Sequence, residues 1–300
     1  MKKKIIIVWA LVLFFTLTYL LSFIKTSSKD NRKSIKTSLL NPKNIENLCE
    51  FEFSDLESSC KIVLNKTLNK WEIKSNSQVI YADSNKINSL IEELSKISEI
   101  YIISNSQNDS DFGFTNASSS FSLTYFLEDG KSTQLNFGNH DFSDSYRYLK
   151  NSNNSQVYEI SSTIDNFLTT SIQYWSDPLI ISKEILGKKS YKDVVKYTYS
   201  KNQNIFTGDS TNSDFNEYIS KLFDLRHSGF ANLDKIQEKD STLTIDFGDK
   251  SSLEITIFTT EADNEYAIEL EYYDYLLEKS YKSWMKISSW TYNKINVSKL

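Results

Sequence analysis

The chain has 300 residues and a formal net charge of -5, with 39% hydrophobic and 14% aromatic residues. That much apolar material can bury a core, and at about 150 residues per domain the length fits one or two domains. An acidic chain without a basic stripe lacks the electrostatic footprint that holds phosphate backbones, so nucleic acid is excluded as an expected partner.

The run from Ile5 to Ile24 carries no charge. At about 1.5 Å per helical residue it is long enough to cross roughly 30 Å of hydrocarbon. Lys2, Lys3 and Lys4 precede it, as in an export signal, but the run is longer than an h-region of roughly 7 to 15 residues and has no small-x-small cleavage site. Bulky Leu20, Leu21, Phe23 and Ile24 favour retention, so residues 1–25 read as a transmembrane signal-anchor; a cleaved signal peptide is the alternative. Lys25, Lys29, Arg32, Lys33 and Lys36 follow the run, and the count of basic residues does not decide orientation. Long domains translocate largely regardless of such charge. The expectation is therefore a single-pass protein of the cytoplasmic (inner) membrane, its body facing the extracytoplasmic, periplasmic side. Cys49 lies too far beyond the run for a lipoprotein.

Residues 26–47 are polar and basic and read as a tether. A first unit is expected over 48–185. Ile62 with Leu64 and Trp71 with Ile73 alternate as two strands of a hairpin. Ile87, Leu90, Ile91, Leu94 and Ile97 then fall at helical spacing behind Asp83 and Ser84, either of which can cap the first turn. Phe121, Leu123, Tyr125 and Leu127 alternate up to a turn at Glu128-Asp129-Gly130, and Leu135 and Phe137 leave it. Tyr146 to Leu149 and Gln156 to Ile160 read as further strands, and Ile164, Phe167 and Leu168 as a short helix capped near Ser162.

A second unit is expected over 186–300. Val194 to Tyr199 reads as a strand, and Phe215, Tyr218, Ile219 and Leu222 form a helical stripe behind Ser213 and Asp214. Leu243, Ile245 and Phe247 alternate to a turn at Gly248-Asp249; Leu253, Ile255 and Ile257 follow, then Ile268 and Leu270, and helical spacing returns at the C-terminus. The fold class is α+β: two related units, each an amphipathic helix packed on an antiparallel sheet. The repeated order suggests a diverged duplication; two unrelated segments of similar element order are the alternative. With only 7 Gly and 2 Pro, most turns fall to Asn, Asp and Ser, whose side chains bond nearby backbone groups.

Trp71-Glu72-Ile73, Tyr81-Ala82-Asp83 before the helix, Phe112-Gly113-Phe114, Leu135-Asn136-Phe137-Gly138 and Val157-Tyr158-Glu159-Ile160 carry a resemblance. Over roughly Lys61 to Ile181, and more weakly in the second half, the chain resembles the DUF4340 family of bacterial domains of unknown function; Phe114 stands where leucine is common. The resemblance implies a membrane-anchored extracytoplasmic domain found with ABC-type transporter components of the gliding-motility kind. It implies no catalytic residues that can be carried over.

The residues themselves give little chemistry. His140 and His227 are the only histidines, and neither has a Cys or His neighbour at metal-ligand spacing. His140 beside Asp141 is half of an acid–base pair at most, since only geometry identifies a triad. Glycines are too widely spaced for a phosphate loop. Glu261, Asp263, Glu265, Glu269 and Glu271 lack a calcium-loop pattern and read as a solvated face. Tyr272, Tyr273, Tyr275, Trp284 and Trp290, with Tyr266, Tyr281 and Tyr292 nearby, suit a docking surface for protein or glycan; ordinary sheet packing is the blander reading. Cys49 and Cys60 are placed as a disulfide pair if the body is exported. No catalytic, cofactor or metal residue is expected. The functional expectation is a non-enzymatic accessory or interaction subunit, held in the membrane by Ile5 to Ile24 beside an ABC-type permease or auxiliary subunit. The alternative is an envelope hydrolase or transferase with an unrecognised active site.

Overall fold

The computed structural model describes residues 33–75, 78–104, 110–115, 120–152, 154, 156–212 and 214–296. The apolar run Ile5–Ile24 and the expected cap Ser213 lie outside them. Among the described residues no helix is long and apolar enough to cross a membrane.

Ten strands build the first sheet: β1 (Ser34–Thr37), β2 (Leu48–Ser54), β3 (Ser59–Asn65), β4 (Lys70–Ser75), β5 (Gln78–Tyr81), β6 (Ser98–Ser104), β7 (Phe121–Leu127), β8 (Ser132–His140), β9 (Tyr146–Asn151) and β10 (Val157–Ser161). Their order is β1-β6-β10-β9-β8-β7-β2-β3-β4-β5, and the paired strands are antiparallel. Alternation decides the faces. Phe121, Leu123, Tyr125 and Leu127 of β7 are buried while Ser122, Thr124 and Phe126 between them are half-buried. Helix α1 (Ser84–Ser95) lays Ile87, Leu90 and Leu94 on that inner face, and the Asp83 side chain accepts from the Asn85 N–H at its start.

Two short helices, α2 (Ile172–Trp175) and α3 (Lys183–Leu186), lead into the second sheet. It comprises β11 (Val194–Lys201), β12 (Asn204–Asp209), β13 (Ile236–Phe247), β14 (Ser252–Thr260), β15 (Glu265–Asp274) and β16 (Lys279–Ser288), ordered β12-β11-β13-β14-β15-β16. Helix α4 (Phe215–Phe223) buries Phe215, Tyr218, Ile219 and Leu222, and α5 (Ser289–Ile295) follows β16. The Tyr218 hydroxyl donates to the Ile295 carbonyl at 2.8 Å, which ties the two helices together.

The chain is thus largely antiparallel sheet with few helices, an α+β-like fold weighted to β. The six-strand run β3-β2-β7-β8-β9-β10 inside the first sheet has the same order as the whole second sheet. In both, an amphipathic helix separates the opening hairpin from the four-strand meander. The first sheet adds β4 and β5 at one side and β6 and β1 at the other.

One expectation is corrected at the N-terminal side. Ordered structure reaches into the predicted tether 26–47: Ser34 to Thr37 pair with β6, Pro42 to Asn47 form a 3-10 turn, and Leu40 is fully buried. The Leu40 N–H bonds the Leu94 carbonyl at 2.8 Å, so this polar stretch closes the end of α1.

β5 links the first sheet to the second core. Ile80 and Tyr81 of β5 pack with the second core, and Tyr81 meets Tyr281 edge-on at 6.1 Å. Ser283 Oγ donates to the Val79 carbonyl and Gln78 Nε2 to the Ala231 carbonyl, each at 2.7 Å. Glu184 of α3 accepts from the Ser84 N–H (2.9 Å) and Oγ (2.6 Å), so a carboxylate from the connector caps α1 where the helix dipole favours negative charge.

Candidate functional site

The outer face of the first sheet, opposite α1, carries the site. β6 ends beside β10 and β7 starts three strands further on, and the described residues 110–115 of the connection lie over β8 and β9. Phe112-Gly113-Phe114 lies within that described stretch. The Asn139 N–H donates to the Phe112 carbonyl at 2.8 Å, and the Phe112 ring meets Tyr148 edge-on at 5.0 Å. The crossing is seated where β8 shifts register against β9 between Phe137 and His140.

Beside Phe114 lies an open cavity of about 400 Å³. Its floor is the polar alternation of the sheet: Ser54, Ser122, Gln134, Asn136, Lys150 and Ser152. Ser54 and Ser122 bond one another at 2.7 Å. The side-chain amides of Gln134 and Asn136 make no hydrogen bond to the described residues, which leaves donors and acceptors for a ligand. A second cavity of about 510 Å³ shares Asp55, Leu56, Ser120 and Phe121 with it and extends to Arg147, Asp165, Thr169 and Thr170.

Asp55 and Asp165 at this rim are already engaged. Burial works to raise the Asp55 carboxyl, but the N–H groups of Glu57 and Ser58 and the hydroxyls of Thr170 and Ser58 outweigh it and hold it below the usual range. Asp165 bridges Arg147 Nη1 at 2.8 Å and His140 Nε2 at 2.5 Å. His140 does not pair with its neighbour Asp141. Asp141 instead accepts from Ser143 Oγ and the Tyr146 N–H and shapes the turn after β8. Among the described residues no hydroxyl or thiol bonds the other nitrogen of His140, so no nucleophile is aligned with it. The pairing with Asp165, 25 positions away, had no local signal in the sequence.

His227 is far from this groove and buried. Its Nε2 bonds the Asp177 carbonyl at 2.9 Å, its Nδ1 accepts from the Gly229 N–H at 3.1 Å, and burial lowers its pKa. An imidazole that accepts at one nitrogen and donates at the other is neutral and structural. Sequence reasoning also missed the cluster of Lys201, Asp240 and Tyr292. Lys201 Nζ lies 2.9 Å from Asp240 Oδ1 and also bonds the Tyr292 hydroxyl, which donates to Asp240 Oδ2 at 2.8 Å. Burial works to lower the lysine pKa, yet its two partners raise it, and burial pushes the Tyr292 phenol up to about 12. Both keep their protons at neutral pH, which suits structure rather than proton transfer.

The predicted aromatic surface is not one surface. Tyr272 is a core residue, 1% exposed, whereas Tyr273 and Tyr275 lie at one end of the β15–β16 hairpin. Trp284 packs against Phe258 on the outer face (5.3 Å), and Trp290 stands on α5 at the opposite end. Glu269 and Glu271 of the predicted solvated face pair with Lys282, and Glu265 with Lys286 at 3.5 Å. Among the described residues no group of His, Cys, Asp and Glu side chains is placed to hold a metal ion.

The disulfide expectation is also corrected. Cys49 and Cys60 are free thiols, and Cys60 stands opposite Phe53 in the β2–β3 ladder. Cys49 is therefore four positions further along β2, about 13 Å at a strand's rise and far beyond disulfide reach.

The sequence model described as "Domain of unknown function (DUF4340)" matches residues 71–244, more than half of the chain, running from β4 through the first sheet and the connector into β13. No curated protein and no solved structure matches.

Proposed function

The chain belongs to the DUF4340 family, and from that membership we propose that it is a non-enzymatic binding subunit. In this reading Ile5 to Ile24 hold it at the cytoplasmic membrane, with its body outside, beside an ABC-type permease and its ATPase. The observation that carries the binding role is the groove on the outer face of the first sheet. Its floor offers uncommitted amides at Gln134 and Asn136, while at its rim Asp55 is held by backbone and hydroxyl groups and Asp165 pairs with Arg147 and His140. Such a lining recognises polar surface and lacks an aligned acid, base and nucleophile. The association with a transporter rests on the family resemblance together with the apolar run.

Purification of the full chain in mild detergent should bring down a permease and an ATPase. Asn136→Arg, which fills the groove, should weaken that association, and His140→Ala should leave association and cellular phenotype intact. Loss of the phenotype in His140→Ala, with fold and association preserved, would transfer the function to the His140–Asp165 pair and favour the envelope hydrolase or transferase. A stable chain that recovers no transporter component in any of several detergents would leave a free-standing envelope protein.

The same reading makes 48–185 and 186–300 diverged copies of one unit, supported by the common strand order. Superposition of β3-β2-β7-β8-β9-β10 on β12-β11-β13-β14-β15-β16 should bring α1 onto α4; placement of the two helices on opposite faces would rule out the duplication.

A further inference from the structure

The two sheets have four edges, and three are occupied or blunted. β5 and β16 lie against each other, bridged by Ser283 Oγ on the Val79 carbonyl. β1 is only four residues long, with Lys36 within it and Lys33 just before it. Short, basic edges resist further pairing. β12 has none of these protections.

Asn202 and Gln203, both at positive φ (48° and 66°), close the β11–β12 hairpin in two residues. Counted from that turn, the antiparallel ladder Lys201↔Asn204, Tyr199↔Phe206, Tyr197↔Gly208 consists of bonded pairs, so the backbone groups of Ile205 and Thr207 point away from β11, while those of Asp209 are taken up by Asn212. The stretch Ile205-Phe206-Thr207-Gly208 contains no charge and no proline, and the β11–β12 pairing shows no register shift. Ile205 is 68% and Phe206 36% exposed.

The first sheet shows what such an edge takes. β3 occupies there the position of β12, and its outer side is covered by antiparallel β4, with Ile62 against Ile73 and Leu64 against Trp71. Among the described residues nothing performs that role for β12.

We propose that β12 pairs antiparallel with β12 of a second copy of this chain about a two-fold axis, so that two six-stranded sheets become one continuous sheet. Identical antiparallel strands present the same outward groups to each other, and the two-fold closes the association at two chains. The composition fits self-pairing. In a register centred on Phe206, Ile205 and Thr207 pair with each other across the axis and Asp209 faces Gln203, so no like charges are opposed. A strongly charged foreign strand would find no counter-charge on this stretch.

The test is the mass of the purified full chain, corrected for detergent, by light scattering or sedimentation equilibrium. Two chains per particle are expected. Thr207→Pro deletes an outward N–H at an edge, where proline is tolerated, and Ile205→Lys adds a charge on the other route to the same end. Both variants should sediment as single chains at concentrations where the parent is paired, with circular dichroism and urea midpoints confirming that each is folded. The lysine variant keeps the test decisive if the proline variant unfolds. A parent that sediments as one chain, an open-ended series of larger particles, or pairing retained in the folded variants would overturn the proposal.

Discussion

The Phe112 carbonyl oxygen stands 2.1 Å from the point where a Cβ on Gly138 would lie. Residue 138 must lack a side chain for the crossing segment to reach β8 and accept the Asn139 N–H. The segment has a matching requirement of its own, because Gly113 sits at φ +76° and a Cβ there would lie 2.4 Å from Asn139 Cγ. Gly138→Ala should therefore lift the crossing and cost about 1–3 kcal/mol, as overpacking and a lost hydrogen bond do. A fall in urea midpoint together with new protease cleavage near residues 110–115 would show it; an unchanged midpoint and cleavage pattern would mean that the crossing is not held there.

Burial lowers the His227 pKa in the folded chain, below the value of about 6.5 of an unfolded histidine. As pH falls, the unfolded chain takes up this proton first. Stability is then full above the unfolded pKa and declines as pH drops from there toward the folded one. Urea midpoints at about pH 7.5 and about pH 5.5 should differ, and His227→Gln should reduce the difference because its side chain does not titrate. An equal difference in parent and variant would assign the slope to other groups.

Burial pushes the Cys60 thiol up to about 12, and it also raises that of half-buried Cys49, whose Sγ bonds the Phe126 carbonyl at 3.4 Å. Thiolate is the reacting form, so a native-state alkylating reagent should label Cys49 before Cys60, and Cys60 fast only in denaturant. Oxidation of the native chain should leave its mass without the loss of two hydrogens that an internal disulfide brings. Such a loss would contradict the ladder register.

Tyr292→Phe removes the hydroxyl that both Lys201 and Asp240 use. The expected cost is about 0.5–1.5 kcal/mol for each net hydrogen bond lost. Asp240→Asn should cost more, since it leaves a partly buried ammonium without its counter-charge. If the asparagine variant proved the milder of the two in chemical denaturation, the carboxylate would not be the anchor of the cluster.

Periodic segments were readable from residues alone. The stripe Ile87, Leu90, Ile91 and Leu94 gave α1, with Asp83 the cap of the two candidates, but Ile97 lies past the helix end and is exposed; the alternation Leu243, Ile245, Phe247 gave β13. β1 was hidden because an exposed edge strand needs no apolar face, and Ser34-Ile35-Lys36-Thr37 has the composition of a tether. The aromatic surface was misjudged despite a usable signal, since consecutive Tyr272 and Tyr273 in a strand must point to opposite faces. His140 and Asp165 come together only because β8, β9 and β10 are adjacent, a long-range fact that no local spacing encodes. The family match likewise crosses from the first sheet into β13, where the expected resemblance was strongest over the first unit.

Ile80 and Tyr81 belong by backbone to the first sheet and by side chain to the second core. Trp175, at the start of the connector, fills the first core, while Ile180, Ile181, Ile185 and Leu186 a few residues later fill the second. A fragment ending or beginning at residue 186 would therefore carry part of its neighbour's interior as an exposed apolar face. The two interiors are thus tied through β5 and the connector, so a substitution at Ile80 or Tyr81 should be felt in the melting of both sheets.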